Sequence, residues 1–344
     1  MKGIARVLAA VLVALPATAF AQGTVVPGTT GPGQWFALQP MPVAQNEAAT
    51  AVVDGKIYII AGFEPNDGVR GDGPTTRVQV YDTATNTWAA GVAVPEPLHH
   101  AGAAVVDGKV YLVGGFHNPF QKREPIDSVW MFDPAQKSWT KKAPLPAPRG
   151  ALLVVAVGNK IYAIGGEHYR PKGAPVPAGA PAAYEPLTDA AVYDTAADKW
   201  QALPPMKVAR DHAYIGAIAG KIYVVGGRDR PKYDIATLEE FDPATGRWAE
   251  RAPMPTGRSG GNAAVLGGKL YVFGGEGKPD NPLGIYDESE VYDPASNAWT
   301  KLGPMPFPRH SLSAATVGNR VYLPGGAPHR SGYDVLAYID AYQP

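Results

Sequence analysis

The 344-residue chain contains no cysteine, and 31 Lys and Arg balance 31 Asp and Glu, so its formal charge is zero. Without a thiol there can be no disulfide, CxxC redox chemistry, cysteine nucleophile or Cys-ligated zinc. Without excess or clustered positive charge, nucleic acid is not an expected partner.

The chain opens on the pattern of an export signal. Lys2 and Arg6 precede an apolar stretch over residues 7–15, and Ala19-Phe20-Ala21 places small residues before Gln22. That layout predicts cleavage after Ala21. The stretch is too short for a bilayer and no other long apolar run follows, so no membrane span is expected. No cysteine stands at the cleavage point to carry a lipid. The mature protein is therefore expected in the periplasm or the medium. Residues 22–34 ("QGTVVPGTTGPGQ") read as a flexible linker, and residues 35–344 as a single repeat domain.

From there six tryptophans set a period. Trp35, Trp88, Trp139, Trp200, Trp248 and Trp299 are 53, 51, 61, 48 and 51 residues apart, and only Trp130 is out of register. Between them the same signals recur in order. A proline-rich corner ("LQPMP", "KAPLP", "LPPM", "RAPMP", "LGPMP") is followed by a short apolar run. Next comes a two-residue turn such as Asp54-Gly55, Asp107-Gly108, Gly158-Asn159, Gly267-Gly268 or Gly318-Asn319, suited to a tight hairpin. A second apolar run ends in paired glycines, for example Gly114-Gly115 and Gly226-Gly227, with Ala61-Gly62 as the exception. After a variable loop, a third run ends in Tyr/Phe-Asp ("VYDTATNTW", "MFDPAQKSW", "VYDTAADKW", "EFDPATGRW", "VYDPASNAW"). Asn86, Asp198, Gly246 and Asn297 suit a left-handed residue in the turn that follows, and Lys137 suits it less well. Each tryptophan then opens a fourth strand. Within the third interval, 171–186 ("PKGAPVPAGAPAAYEP") reads as a loose insert.

Four short strands per unit cannot bury both faces alone, but units stacked radially can. The glycine pair, the Tyr/Phe-Asp and the spaced tryptophan together resemble the kelch repeat over essentially all of 35–344. The resemblance is to exported bacterial kelch proteins, and more distantly to sialic acid mutarotase and the propeller of galactose oxidase. It implies an all-β, six-bladed propeller with four antiparallel strands per blade. The chain begins with a lone fourth strand at 34–38 and ends with a third strand at 336–340. The N-terminal strand is therefore expected to complete the C-terminal blade and leave no open edge. The repeated tyrosines and tryptophans are expected to be core.

Function on such a scaffold belongs to loops. The links between strands two and three, and from strand four to the next blade, share the face with the longer and more varied loops, which also holds all seven histidines. Eleven residues before each hairpin Lys or Arg stand Arg149, Arg210, Arg258 and Arg309, with Gln45 and Leu98 in the other two blades. Kelch proteins often carry arginine here, and some related propellers use it to hold acidic ligands. A forked guanidinium suits a carboxylate. The competing reading is that these arginines bond neighbouring loop carbonyls. Arg228, Glu167 and Glu276 follow the glycines, and Glu47, His100, His212 and His310 follow the arginine position; all join the candidate set.

No ligand spacing such as HExxH links His99, His100, His117, His168, Asp211 or His212, so no metal or other cofactor is expected. No GxSxG elbow or phosphate cradle occurs either. Two function classes stand. One is a non-catalytic, monomeric binding protein whose long-loop face takes a protein or an anionic or polyhydroxylated, glycan-like ligand. The other, by analogy, is a cofactor-free mutarotase or epimerase for an acidic sugar such as sialic acid, with Glu167, Glu276, His212 or Glu47 as acid or base. The copper radical chemistry of galactose oxidase is excluded, because its cofactor requires a cysteine.

Overall fold

Alternating apolar side chains and two-residue turns fold the chain into short antiparallel strands. The computed structural model describes residues 23–65, 73–181, 183–330 and 334–344; the export segment and its cleavage point lie outside them. Among the described residues, blade one comprises Ala49–Val53, Lys56–Ile60, Val78–Asp82 and Thr87–Ala90, and blades two to five repeat that order. The first strands stand side by side around the ring, each blade against the next and blade six against blade one. Six buried apolar clusters each lie between two adjacent blades, so every core is shared. Of the repeated aromatics, Trp35, Tyr111, Tyr162, Tyr223, Tyr271 and Tyr322 are buried core, whereas Tyr58, Trp88, Trp139, Trp200, Trp248 and Trp299 are only half-buried and pack against the clusters from the edge.

Closure occurs as expected. Gln34–Ala37 pairs with Ile339–Gln343, placing Trp35 opposite Tyr342. Two details differ. The last third strand lies three residues later than 336–340, because Tyr342, not Tyr338, takes the core position of the Tyr/Phe-Asp pair. In blades one to five the aspartate of that pair bonds the backbone N–H two residues on, as Asp82 does for Ala84 and Asp293 for Ala295. Blade six has no such turn, since its fourth strand comes from the other end of the chain, and Gln343 stands there instead. The second difference concerns the expected linker. Thr24–Val25 pairs with Gln34–Ala37 and gives the closing blade a fifth strand.

The turns carry the expected backbone. Asp54, Gly55, Asp107 and Gly108 all have positive φ, as do Asn86, Lys137, Asp198, Gly246 and Asn297. At Gly158-Asn159 and Gly318-Asn319 only the glycine does, the pattern of a II′ turn. The segment at 171–186 is not wholly loose. Its last three residues, Tyr184–Pro186, pair with Glu167–Tyr169 just ahead of it and form a ribbon.

The glycine pairs join the blades. A Cβ on Gly114 would lie 2.6 Å from the Arg149 carbonyl oxygen of the next blade, and one on Gly226 would lie 2.7 Å from that of Arg258. The second glycine of each pair donates to that same carbonyl: Gly115 to Arg149 at 2.9 Å, Gly166 to Arg210 at 3.0 Å, Gly227 to Arg258 at 3.0 Å. Glycine suits both the approach and the positive φ, although blade one holds Ala61 at the first position with φ 58°. Among the described residues no helix is long and apolar enough to cross a membrane.

Candidate functional site at the channel mouth

The repeat places three consecutive residues of each blade just before its innermost strand: 45–47, 98–100, 149–151, 210–212, 258–260 and 309–311. The third member of each triplet, Glu47, His100, Ala151, His212, Gly260 or Ser311, has left-handed backbone, with φ between 47° and 71°. Each donates its N–H to the carbonyl of the same member in the preceding blade, and Glu47 completes the circuit on Ser311 at 3.1 Å. Six hydrogen bonds thus form a closed ring at the mouth of the channel. Below it a void of about 230 Å³ runs between the inner strands, walled by small residues such as Ala49, Gly102, Ala103 and Ala263.

The first members do not face this channel. Arg210, Arg258 and Arg309 are fully buried. Arg210 donates to Gly226 O at 2.8 Å and Glu239 at 2.6 Å. Arg258 holds Gly274 O at 2.9 Å and pairs with Glu290. Arg309 holds Gly325 O at 2.9 Å and pairs with Asp340. Their guanidinium groups are spent on carbonyls and acids of their own blades, as the competing reading had it, so they are not a clamp for an acidic ligand. Arg149 is also buried, but the third-strand position that supplies the acid elsewhere is Ala191 in its blade. Its Nη1 reaches Asp189 O at 3.4 Å, and its Nε meets no acceptor. Sequence reasoning missed Glu239, Glu290 and Asp340. The available signal was an acid 29, 32 and 31 residues after an arginine, in the same register each time.

The other candidates do converge. Arg228 binds Asp211 at 2.8 Å and also Glu276, and its Nη2 lies 3.0 Å from His212. His212 Nδ1 bonds Asp211. Glu47 accepts from Ser311 and lies 3.4 Å from His100 Nε2, while His310 lies 3.9 Å from Glu276. Burial raises the Glu47 carboxyl, but His100, His212 and Ser311 outweigh it and hold that group well below the usual carboxylate range. Burial likewise opposes ionisation of Asp211 and Glu276, and Arg228 reverses it, so both are lowered. Burial and then Arg228 push His212 down, and burial and then His100 push His99 well down. The carboxyls of Glu47, Asp211 and Glu276 are thus held towards the ionised form, and the His99 and His212 rings towards the neutral one. Asp211 and Glu276 share the Arg228 guanidinium, while Glu47 meets His100 and Ser311.

Glu167 lies off to one side. It is buried and bonds Arg123 at 3.0 Å. Arg123 sits 3.8 Å from the ring centre of Tyr184 and 4.6 Å from that of Phe120, and Tyr169 stacks on Tyr184. These contacts join the long loops of blades two and three. Of the seven histidines, His99, His100, His212 and His310 gather at the mouth. His117, His168 and His329 instead pair with Glu96, Glu185 and Asp334 on the loops.

A family model described as the KLHDC2/KLHL20/DRC7 Kelch-repeats domain matches residues 31–166 and 176–326. The chain is similar to Kelch-like protein terF of Aspergillus terreus, 29% identical over 333 residues covering 91% of this chain and 68% of terF. It is similar to human Kelch-like protein 23, 26% identical over 317 residues covering 90% of this chain and 49% of that protein. A zebrafish relative, Kelch-like protein 40a of Danio rerio, is 38% identical over 249 residues, 72% of this chain and 38% of its own. These relatives are fungal and animal, not the bacterial proteins that the sequence suggested, and the chain spans about half or less of the two vertebrate ones.

Proposed function

Because the chain belongs to the kelch-repeat family, we propose that it is a binding protein whose long-loop face receives a protein partner. One observation carries this reading. Among the described residues, six large apolar side chains are exposed, and five of them, Phe120, Tyr169, Val176, Leu283 and Phe307, sit on loops of that face. Exposed aromatic groups beside a rigid scaffold are the usual anchors of protein interfaces. Phe120 and Tyr169 are 40% and 49% exposed, yet are held in place through Arg123 and Tyr184. An exported mature chain beginning after Ala21, acting as a monomer, is part of the same proposal. The buried ion pairs of Arg210, Arg258 and Arg309 favour this reading over the acidic-sugar alternative, which would need those guanidinium groups for a carboxylate.

A photo-crosslinking residue placed at Phe120 or at Tyr169, in the full chain expressed in its own host, tests the proposal. Both are expected to trap the same discrete protein, while a probe at Lys137, on the short-turn face, traps none. Equal capture from both faces, or none from the loops, would overturn it. If added protein speeds anomer exchange of sialic acid in proton NMR, the mutarotase reading replaces it.

A further inference from the structure

Blades one, two and four bring Glu47, His100 and His212 together with their ligand atoms within 4.8 Å of one another. The 3.4 Å between His100 Nε2 and Glu47 Oε1 is close to the separation of neighbouring ligands bonded at about 2.1 Å to a tetrahedral ion. Small side-chain rotations would bring the third ligand to the same spacing.

Neighbouring groups orient each of the three. His99 Nε2 lies 3.0 Å from the Asn118 carbonyl, to which it must donate. Its Nδ1 is then the acceptor for His100 Nδ1–H, which leaves the His100 Nε2 lone pair directed at Glu47. His212 donates Nδ1–H to Asp211, the carboxylate–histidine pairing that leaves Nε2 as the metal-ready base. Ser311 anchors the Glu47 carboxylate. Arg228 Nη2 stands 3.0 Å from both ring nitrogens of His212. Being equidistant, it lies off the axis of the Nε2 lone pair and does not block it. Its positive charge is met by Asp211 and Glu276.

We infer that Glu47, His100 and His212 form a binding site for one divalent transition-metal ion, held by two imidazole nitrogens and a carboxylate oxygen. Two nitrogen donors select zinc, cobalt or ferrous iron over magnesium or calcium. The remaining coordination positions open onto the channel void, which has room for water or a small ligand. The inference is independent of a protein partner on the outer loops, and the two experiments fail separately.

The mature chain, stripped with a chelator, is titrated with Zn²⁺ by calorimetry and with Co²⁺ by visible absorption. One ion per chain and a cobalt spectrum of low coordination number are expected. His100→Ala and His212→Ala should each weaken binding by at least about 100-fold, and Asp211→Asn, acting through His212, by about 10–100-fold. His329→Ala, at the exposed pair with Asp334, should change nothing. If a histidine variant fails to fold, Glu47→Gln, which preserves shape and is checked by circular dichroism, should show the same loss. No saturable binding at millimolar ion, or binding that survives His100→Ala or Glu47→Gln, would overturn the site and leave the cluster as a structural polar network.

Discussion

Arg258 and Arg149 occupy the same place in successive repeats, yet their removal should have different consequences. Arg258→Ala leaves Glu290 charged and unpaired in a fully buried setting, at a cost of roughly 3–5 kcal/mol. Arg149→Met removes a buried cation that, among the described residues, feels Asp189 but makes no close ion pair, and its effect should stay within about 1 kcal/mol. Urea melts of the two variants decide this, and equal losses would refute the pairing argument. A second residue-scale test uses Glu240, which Arg251 and then Lys221 hold down to about 2. A depressed carboxylate stabilises the fold above its ordinary value near 4.5, and that contribution is lost as pH falls from there towards 2. Glu240→Gln should therefore flatten the acid-side fall in melting temperature within that window and leave the neutral side parallel to the parent.

At the scale of the strand and turn, Lys137 is the informative departure. The sequence marked it as a poor left-handed residue, and the fold nevertheless gives it φ 53° at the position held by Asn86, Asp198, Gly246 and Asn297 elsewhere. Lys137→Gly should raise stability by about 0.5–1 kcal/mol, the relief of left-handed strain less the added freedom of the unfolded chain. A lower melting temperature would mean that the lysine side chain makes contacts outweighing its backbone strain. Turn chemistry, hairpin placement and the glycine pairs were legible because each is enforced within a few residues. The third strand of blade six was misplaced for the same reason. The Tyr/Phe-Asp signal reports a following turn, and this strand has none, so "LAYID" passed for a match that "IDAYQ" fulfils.

For the whole ring, the closing strand determines cooperativity. Trp35 is buried against Phe273 and Tyr342, and Trp35→Ala should cost about 3–5 kcal/mol. Removing residues up to Leu38 opens one edge and exposes a core shared by blades six and one. Unfolding should then broaden and proteolysis begin in blade six, and an unchanged sharp transition would contradict closure by this strand.

Period, strand count, turn type and circular closure could be read along the chain, since a four-stranded sheet that cannot cover its own faces must stack on copies of itself. Which loop residues meet could not. Glu47, His100 and His212 lie in different blades, more than fifty residues apart from one to the next, and no local spacing encodes a meeting that depends on curvature accumulated over six sheets. The arginines show the reverse. Their regular spacing invited a functional reading, and packing turned them inward, because a blade that buries a carboxylate on its third strand needs a cation beside it.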